Sequence, residues 1–130
     1  MKKIYLLVFA LIFLFFVFQN NFFSQKFYQI KINGKTYYLL TAKNSQEWER
    51  GLMFYKSKKE LNGADGMIFI FPNKDYRSFW NMNTYLDLDI YWLDDDKIVG
   101  QDFLPSINKT KELYTITSKE KVNRVVEIVR

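Results

Sequence analysis

Two aspartates, Asp87 and Asp89, sit two positions apart in the run Tyr85 to Trp92, where Leu86, Leu88, Ile90 and Trp92 take the alternate positions. If this run is a strand, alternation places both carboxylates on one face, roughly 7 Å apart. That distance suits acid and base work on a glycosidic bond. Like charges so close raise one pKa, leaving an acid beside an ionised partner, and Tyr85 and Tyr91 share that face and could stack on a sugar ring. A carboxylate-dependent hydrolase is therefore one expectation, although the same alternation also describes the solvated side of any half-buried strand. Other chemistries fall away. The 130 residues include no cysteine and no histidine, which excludes a Cys/His zinc centre, a Ser-His-Asp triad and a thiol nucleophile. Asp94, Asp95 and Asp96, with Asp102, lack the spacing and glycine of a dedicated calcium loop and read as a turn. No metal and no cofactor are expected.

The elements that must position these residues are β-rich. The runs FYQIKI and TYYLLT flank Asn33 and Gly34, the strongest short hairpin signal because both residues tolerate positive φ. Asn44 with Glu47 three positions on caps a helix over Gln46 to about Leu52, with Gly51 near its end, and this is the one helix expected after the N-terminal segment. Lys56 to Gly66 reads as a surface loop and Met67 to Phe71 as a buried strand stopped by Pro72. A hairpin joins the Tyr85–Trp92 run through the aspartate turn to Lys97–Leu104, and strands follow around Leu113–Thr117 and Val122–Val129. About seven short strands with no alternating helices predict a mainly β fold, a small antiparallel sandwich or barrel.

Ahead of this domain, Lys2 and Lys3 precede an unbroken apolar run from Ile4 to Phe18, with Phe22 and Phe23 just beyond. A helix apolar on every side for that length suits lipid and not the core of a domain this small. The stretch after it offers no small-residue cleavage pattern, so residues 1–24 read as an uncleaved signal anchor in preference to a removed signal peptide. The two lysines hold the N-terminus in the cytoplasm and send residues 25–130 outside. The expected partner of residues 4–23 is thus the lipid bilayer, and the expected location is the cell membrane, single-pass, with the C-terminal domain extracytoplasmic. Beyond the anchor, 17 basic side chains face 14 acidic ones. A balance of +3 gives no reason to expect nucleic acid.

Four ordered motifs then carry a resemblance: Arg50-Gly51-Leu52-Met53, Gly66-Met67-Ile68-Phe69, Phe79-Trp80-Asn81-Met82-Asn83-Thr84 and Leu88-Asp89-Ile90. Over roughly Asn44 to Val129 the chain resembles domain of unknown function family 192, also known as uncharacterised protein family 0127. The resemblance implies a small, β-rich, often exported or membrane-tethered domain and no catalytic assignment. Where the family has Met-Lys before Asn-Thr, this chain has Asn81 and Met82, and it stops at Arg130 without the family's glycine-containing tail. On these motifs the candidate ligand-binding residues are Arg50, Trp80, Asn83, Thr84 and Asp89. An Arg50–Asp89 pair beside Trp80 would form a small polar cleft with an aromatic floor. The structural alternative has Asn83 and Thr84 setting a turn through their own backbone and Trp80 turned into the core, since only one of Phe79 and Trp80 can face inward. The expected function is a binding or accessory module of the cell envelope, with a glycan or a protein as its ligand.

Overall fold

The computed structural model describes residues 26–130; the expected membrane anchor lies outside the described residues. Among these residues, no helix is long and apolar enough to cross a membrane. The domain is mainly β, a curled half-barrel sheet with a few short helices. Strands β1 (Tyr28–Ile32), β2 (Lys35–Ala42), β3 (Gly66–Asp75), β5 (Leu88–Asp94), β6 (Lys97–Leu104) and β8 (Val122–Val129) form a six-stranded sheet in the order β1-β2-β3-β8-β5-β6. A separate two-stranded ribbon pairs β4 (Ser78–Trp80) with β7 (Thr115–Thr117). The helical pieces are α1 (Ser45–Arg50), a 3₁₀ turn (Lys58–Leu61) and α2 (Ile107–Thr110).

The β1–β2 hairpin forms as expected, with Asn33 and Gly34 both at positive φ. The expectation of a wholly antiparallel sheet is corrected at one pair: β2 and β3 run parallel, Leu39 opposite Gly66. The segment between these strands carries α1 and the 3₁₀ turn, which supplies the crossover that parallel pairing requires. Asn44 caps α1, its side chain accepting from the Glu47 N–H at 3.0 Å, but the helix ends at Arg50. Gly51 stops it with φ 46° and ψ −131°, a conformation hostile to any Cβ. The Lys56–Gly66 loop contains the 3₁₀ turn because Leu61 is buried. Strand β3 runs on through Pro72 to Asp75, with an irregular register against β8 after Ile70.

The strand expected over Tyr85–Trp92 begins later, at Leu88. Strand β5 is paired on both edges, and residues on both its faces are buried. Leu88, Ile90 and Trp92 enter the larger core cluster and Tyr91 and Leu93 the smaller one. Tyr91 is therefore buried and offers no stacking surface; desolvation raises its phenol pKa, with the charge of Asp89 adding to the effect. The β8 strand alternates in the same way, with Val125 and Val129 on the larger cluster's face and Val126 and Ile128 on the other. Gly66 lets β3 and β8 close up: a Cβ there would lie 1.8 Å from the Glu127 carbonyl oxygen.

A candidate cleft over a buried glutamate

On the larger cluster's face, β8 carries one misfit. Glu127 lies between Val125 and Val129 on that face and opposite Met67 of β3 and Ile90 of β5, and it is only 4% exposed. Its Oε2 has no hydrogen-bond partner. Burial disfavours the charged form and pushes its pKa from 4.5 up to about 8. The carboxyl group lines a cavity of about 440 Å³.

The walls come from three of the four motifs. Arg50, Gly51, Leu52 and Met53 form one side, Phe69 and Phe71 of β3 another, and Tyr76, Arg77, Phe79, Trp80 and Thr84 the third. Each is held by local chemistry. The Trp48 indole N–H donates to the Ala42 carbonyl at 3.1 Å and the Ile70 carbonyl at 3.2 Å, pinning α1 across β2 and β3. The Phe54 N–H donates to the Asn83 carbonyl at 2.9 Å, tying the turn after α1 to the turn at Asn83. Gly51 is required here as well. A Cβ would meet the Phe69 ring at 3.1 Å and stand 3.9 Å from Glu127 Oε2, filling the space in front of the carboxyl. Arg77 stacks 4.0 Å over Phe71 and donates to the Asn73 carbonyl at 2.7 Å.

Of the five residues named from sequence, Arg50, Trp80 and Thr84 line this cavity. Arg50 and Trp80 are exposed, whereas Thr84 is buried. Trp80 is thus corrected from core to rim: Phe79 takes the inward position, edge-on to Phe69 and Trp92 at centroid distances of 4.9 and 5.7 Å. Asn83 is not part of the lining; it holds the turn with φ 51°, while the Thr84 hydroxyl donates to the Met82 carbonyl at 3.1 Å, as the structural alternative anticipated. Asn81, which departs from the family pattern, is fully buried. Its amide donates to the Pro105 carbonyl and the Thr110 hydroxyl, and its side-chain oxygen accepts from the Tyr114 N–H at 2.8 Å.

Asp89 does not join them. Its partner is Arg130, whose Nε donates at 2.9 Å, so the expected Arg50–Asp89 pair is not formed. Arg130 follows β8, which lies beside β5, and this places the C-terminal guanidinium nearer to Asp89 than the end of α1 can come. Asp87 precedes β5, accepts from the Ser106 N–H at 3.0 Å and is ion-paired with Lys109. The Lys109 ammonium holds the Asp87 carboxyl below the usual carboxylate range. The two aspartates thus face different cations, and neither lines the cavity. Asp94 ends β5 and Asp95 and Asp96 form the β5–β6 turn, the three paired with Lys74 and Arg124. Among the described residues no group of three or more acidic side chains is placed to hold a metal.

Sequence reasoning missed Glu127. The signal was available, because a glutamate inside VNRVVEIV interrupts the aliphatic run Val125, Val126, Ile128 and Val129, and a charged residue in a central strand is rare unless it is paired.

The fold and cleft define a small mainly β domain with a ligand-sized side pocket. The chain belongs to domain of unknown function family 192, described as an uncharacterized ACR family, whose model matches residues 28–130 and so takes in β1 and β2 as well as the four motifs. The domain is similar to a solved protein from Sinorhizobium meliloti 1021, described as a candidate transcription regulator, at 27% identity and a TM-score of 0.60 over 78% of this chain and 76% of that one. It has the fold of a protein of unknown function from Novosphingobium aromaticivorans, at 23% identity and a TM-score of 0.61 over 78% and 70%. No curated protein matches it.

Proposed function

We propose that this chain is a membrane-anchored binding module of the cell envelope that takes a small ligand, or a protruding group of a larger one, into the cleft over Glu127. The observation that carries the binding half is an unpartnered, buried carboxyl oxygen lining a cavity of about 440 Å³. That volume falls in the range of small-molecule sites, which are typically apolar with a few convergent polar groups. The aromatic walls and the few polar groups among them, the buried Glu127 foremost, match that description. A buried polar atom without a partner costs about 1–3 kcal/mol, a cost that a ligand donor would remove. The envelope half is supported by the apolar run from Ile4 to Phe18 behind Lys2 and Lys3. Regulation of transcription is not carried over from the similar structure, since a balance of 17 basic to 14 acidic side chains offers little for DNA phosphates.

The test is a panel of oligosaccharides, peptides and small organic ions added to the full chain in neutral detergent, followed by the indole signals of Trp48 and Trp80. At least one class of ligand is expected to shift those signals and to bind at least about tenfold more weakly to Trp80→Ala, a loss of about 1.4 kcal/mol. No response at either indole across the panel would reject the cleft. Alkaline extraction and protease protection test the location; recovery of the full chain in the soluble fraction would reject the anchor.

A further inference from the structure

Resting on the binding reading, the geometry points to a ligand class: we propose that the cleft receives an aliphatic primary ammonium group, free or at the end of a lysine-like side chain, which pairs with Glu127. Three observations converge. The first is the orphaned acceptor, Oε2, inside the cavity on the central strand. A tetraalkylammonium could not donate to it; a primary ammonium carries three N–H donors. The second is the wall. Phe69, Phe71 and Phe79 line the approach, and rings suit both a methylene stem and the cation that it carries. The third is Gly51, whose missing Cβ leaves open the space in front of the carboxyl.

The charges around Glu127 agree. On the β3 and β5 flanks it faces Met67 and Ile90, which are uncharged. From α1 come Glu49 and Arg50, and from the segment before β4 come Tyr76 and Arg77. None of these is hydrogen-bonded to its Oε2, and burial is what raises its pKa. Arg77 is held against Phe71 and Asn73, while its buried Nε has no partner and leaves a donor beside the orphaned acceptor. Neither guanidinium is paired with Glu127, so an entering cation can supply its counter-charge. An entering ammonium provides it, and the acid then gives its proton to solvent as the ion pair forms. Binding is proton-linked with a definite sign: tighter as the pH rises towards 8, then level. A neutral hydrogen-bond acceptor would show the opposite, since it needs the protonated acid.

The test is calorimetric titration of the full chain in neutral detergent with Nα-acetyl-lysine methylamide, repeated in two buffers of different ionisation heat. The same compound acetylated at its side-chain nitrogen is the control. Pentylamine and the tripeptide Ala-Lys-Ala form two further arms that separate free amines from lysine in a polypeptide. The expected result is binding by at least one of the amines with release of close to one proton near pH 6, affinity rising up to about tenfold per pH unit below 8, and no binding of the acetylated control. Glu127→Gln should weaken binding at least about tenfold and remove the proton release; the release from the unaltered chain is readable even if that variant does not fold. Absence of binding by every amine up to about 10 mM, equal binding of the acetylated control, or affinity falling with pH would overturn the proposal. If neutral or acidic ligands fill the cleft while amines do not, only this inference fails; if nothing fills it, the binding reading fails too.

Discussion

Replacing Glu127 by glutamine should change how stability depends on pH. In the native state burial lifts its pKa from 4.5 to about 8, so between these values the folded chain holds a proton that the unfolded chain has released. Stability then falls as the pH rises through this window and levels above it. The shift is roughly 3.5 units, worth about 5 kcal/mol in full and roughly 3 kcal/mol of it by pH 7. Glutamine keeps the shape but cannot ionise. Urea denaturation of the full chain in neutral detergent should show the two proteins within about 2 kcal/mol at pH 5, the amide carrying its own desolvation cost. The variant should then gain about 3 kcal/mol on the parent by pH 7. The lowered carboxyls of Asp65, Asp87 and Asp95 act elsewhere, since their contribution is present above 3.8 and lost below it. Parallel stability curves for parent and variant between pH 5 and 8 would refute the reasoning, for they would mean that Glu127 is ionised in the native state.

The glycines of the two motifs should differ in kind. Gly66→Ala sets a methyl 1.8 Å from the Glu127 carbonyl and should prevent the β3–β8 pairing, read as loss of a cooperative unfolding transition. Gly51→Ala meets a side chain, the Phe69 ring at 3.1 Å, and not backbone, together with a strained backbone of its own, so a folded protein weaker by roughly 1–3 kcal/mol is expected. Asn81→Ala removes a fully buried amide bonded to Pro105, Thr110 and Tyr114 and should cost about 1–3 kcal/mol in the same denaturation assay. A double-mutant cycle between Asp89 and Arg130 should return a coupling of up to about 1 kcal/mol, while Asp89 with Arg50 returns none within error.

The outline of this fold was legible wherever the signal was local. Asn33-Gly34 fixed a turn, Asn44 with Glu47 fixed a helix start, and alternation along Leu88, Ile90 and Trp92 marked the face turned to the core. What escaped was non-local. Nothing within LLTA or GMIF states that β2 and β3 lie side by side in the same direction, since that pairing depends on the crossover between them. Of the β4–β7 ribbon, β7 was expected as the strand around Leu113–Thr117, while β4, three residues long, is too short for any period to declare itself. Asp89 was matched with Arg50 because both stood in recurring motifs, yet salt-bridge partners follow from strand order, and strand order placed Arg130 there. For the cleft, the motifs supplied three of the lining residues, Arg50, Trp80 and Thr84, and not Glu127. Asp89 lies elsewhere, and the buried acid on the cavity comes from β8, which the sequence marked only as a strand.

The most direct measurement is the titration of the Glu127 carboxyl itself, followed by carbon NMR of the full chain labelled at its glutamates and assigned by comparison with Glu127→Gln. A midpoint near 8 in the free protein, moving well down when Nα-acetyl-lysine methylamide is added, is the predicted result. A midpoint near the ordinary 4.5 with no ligand present would contradict it.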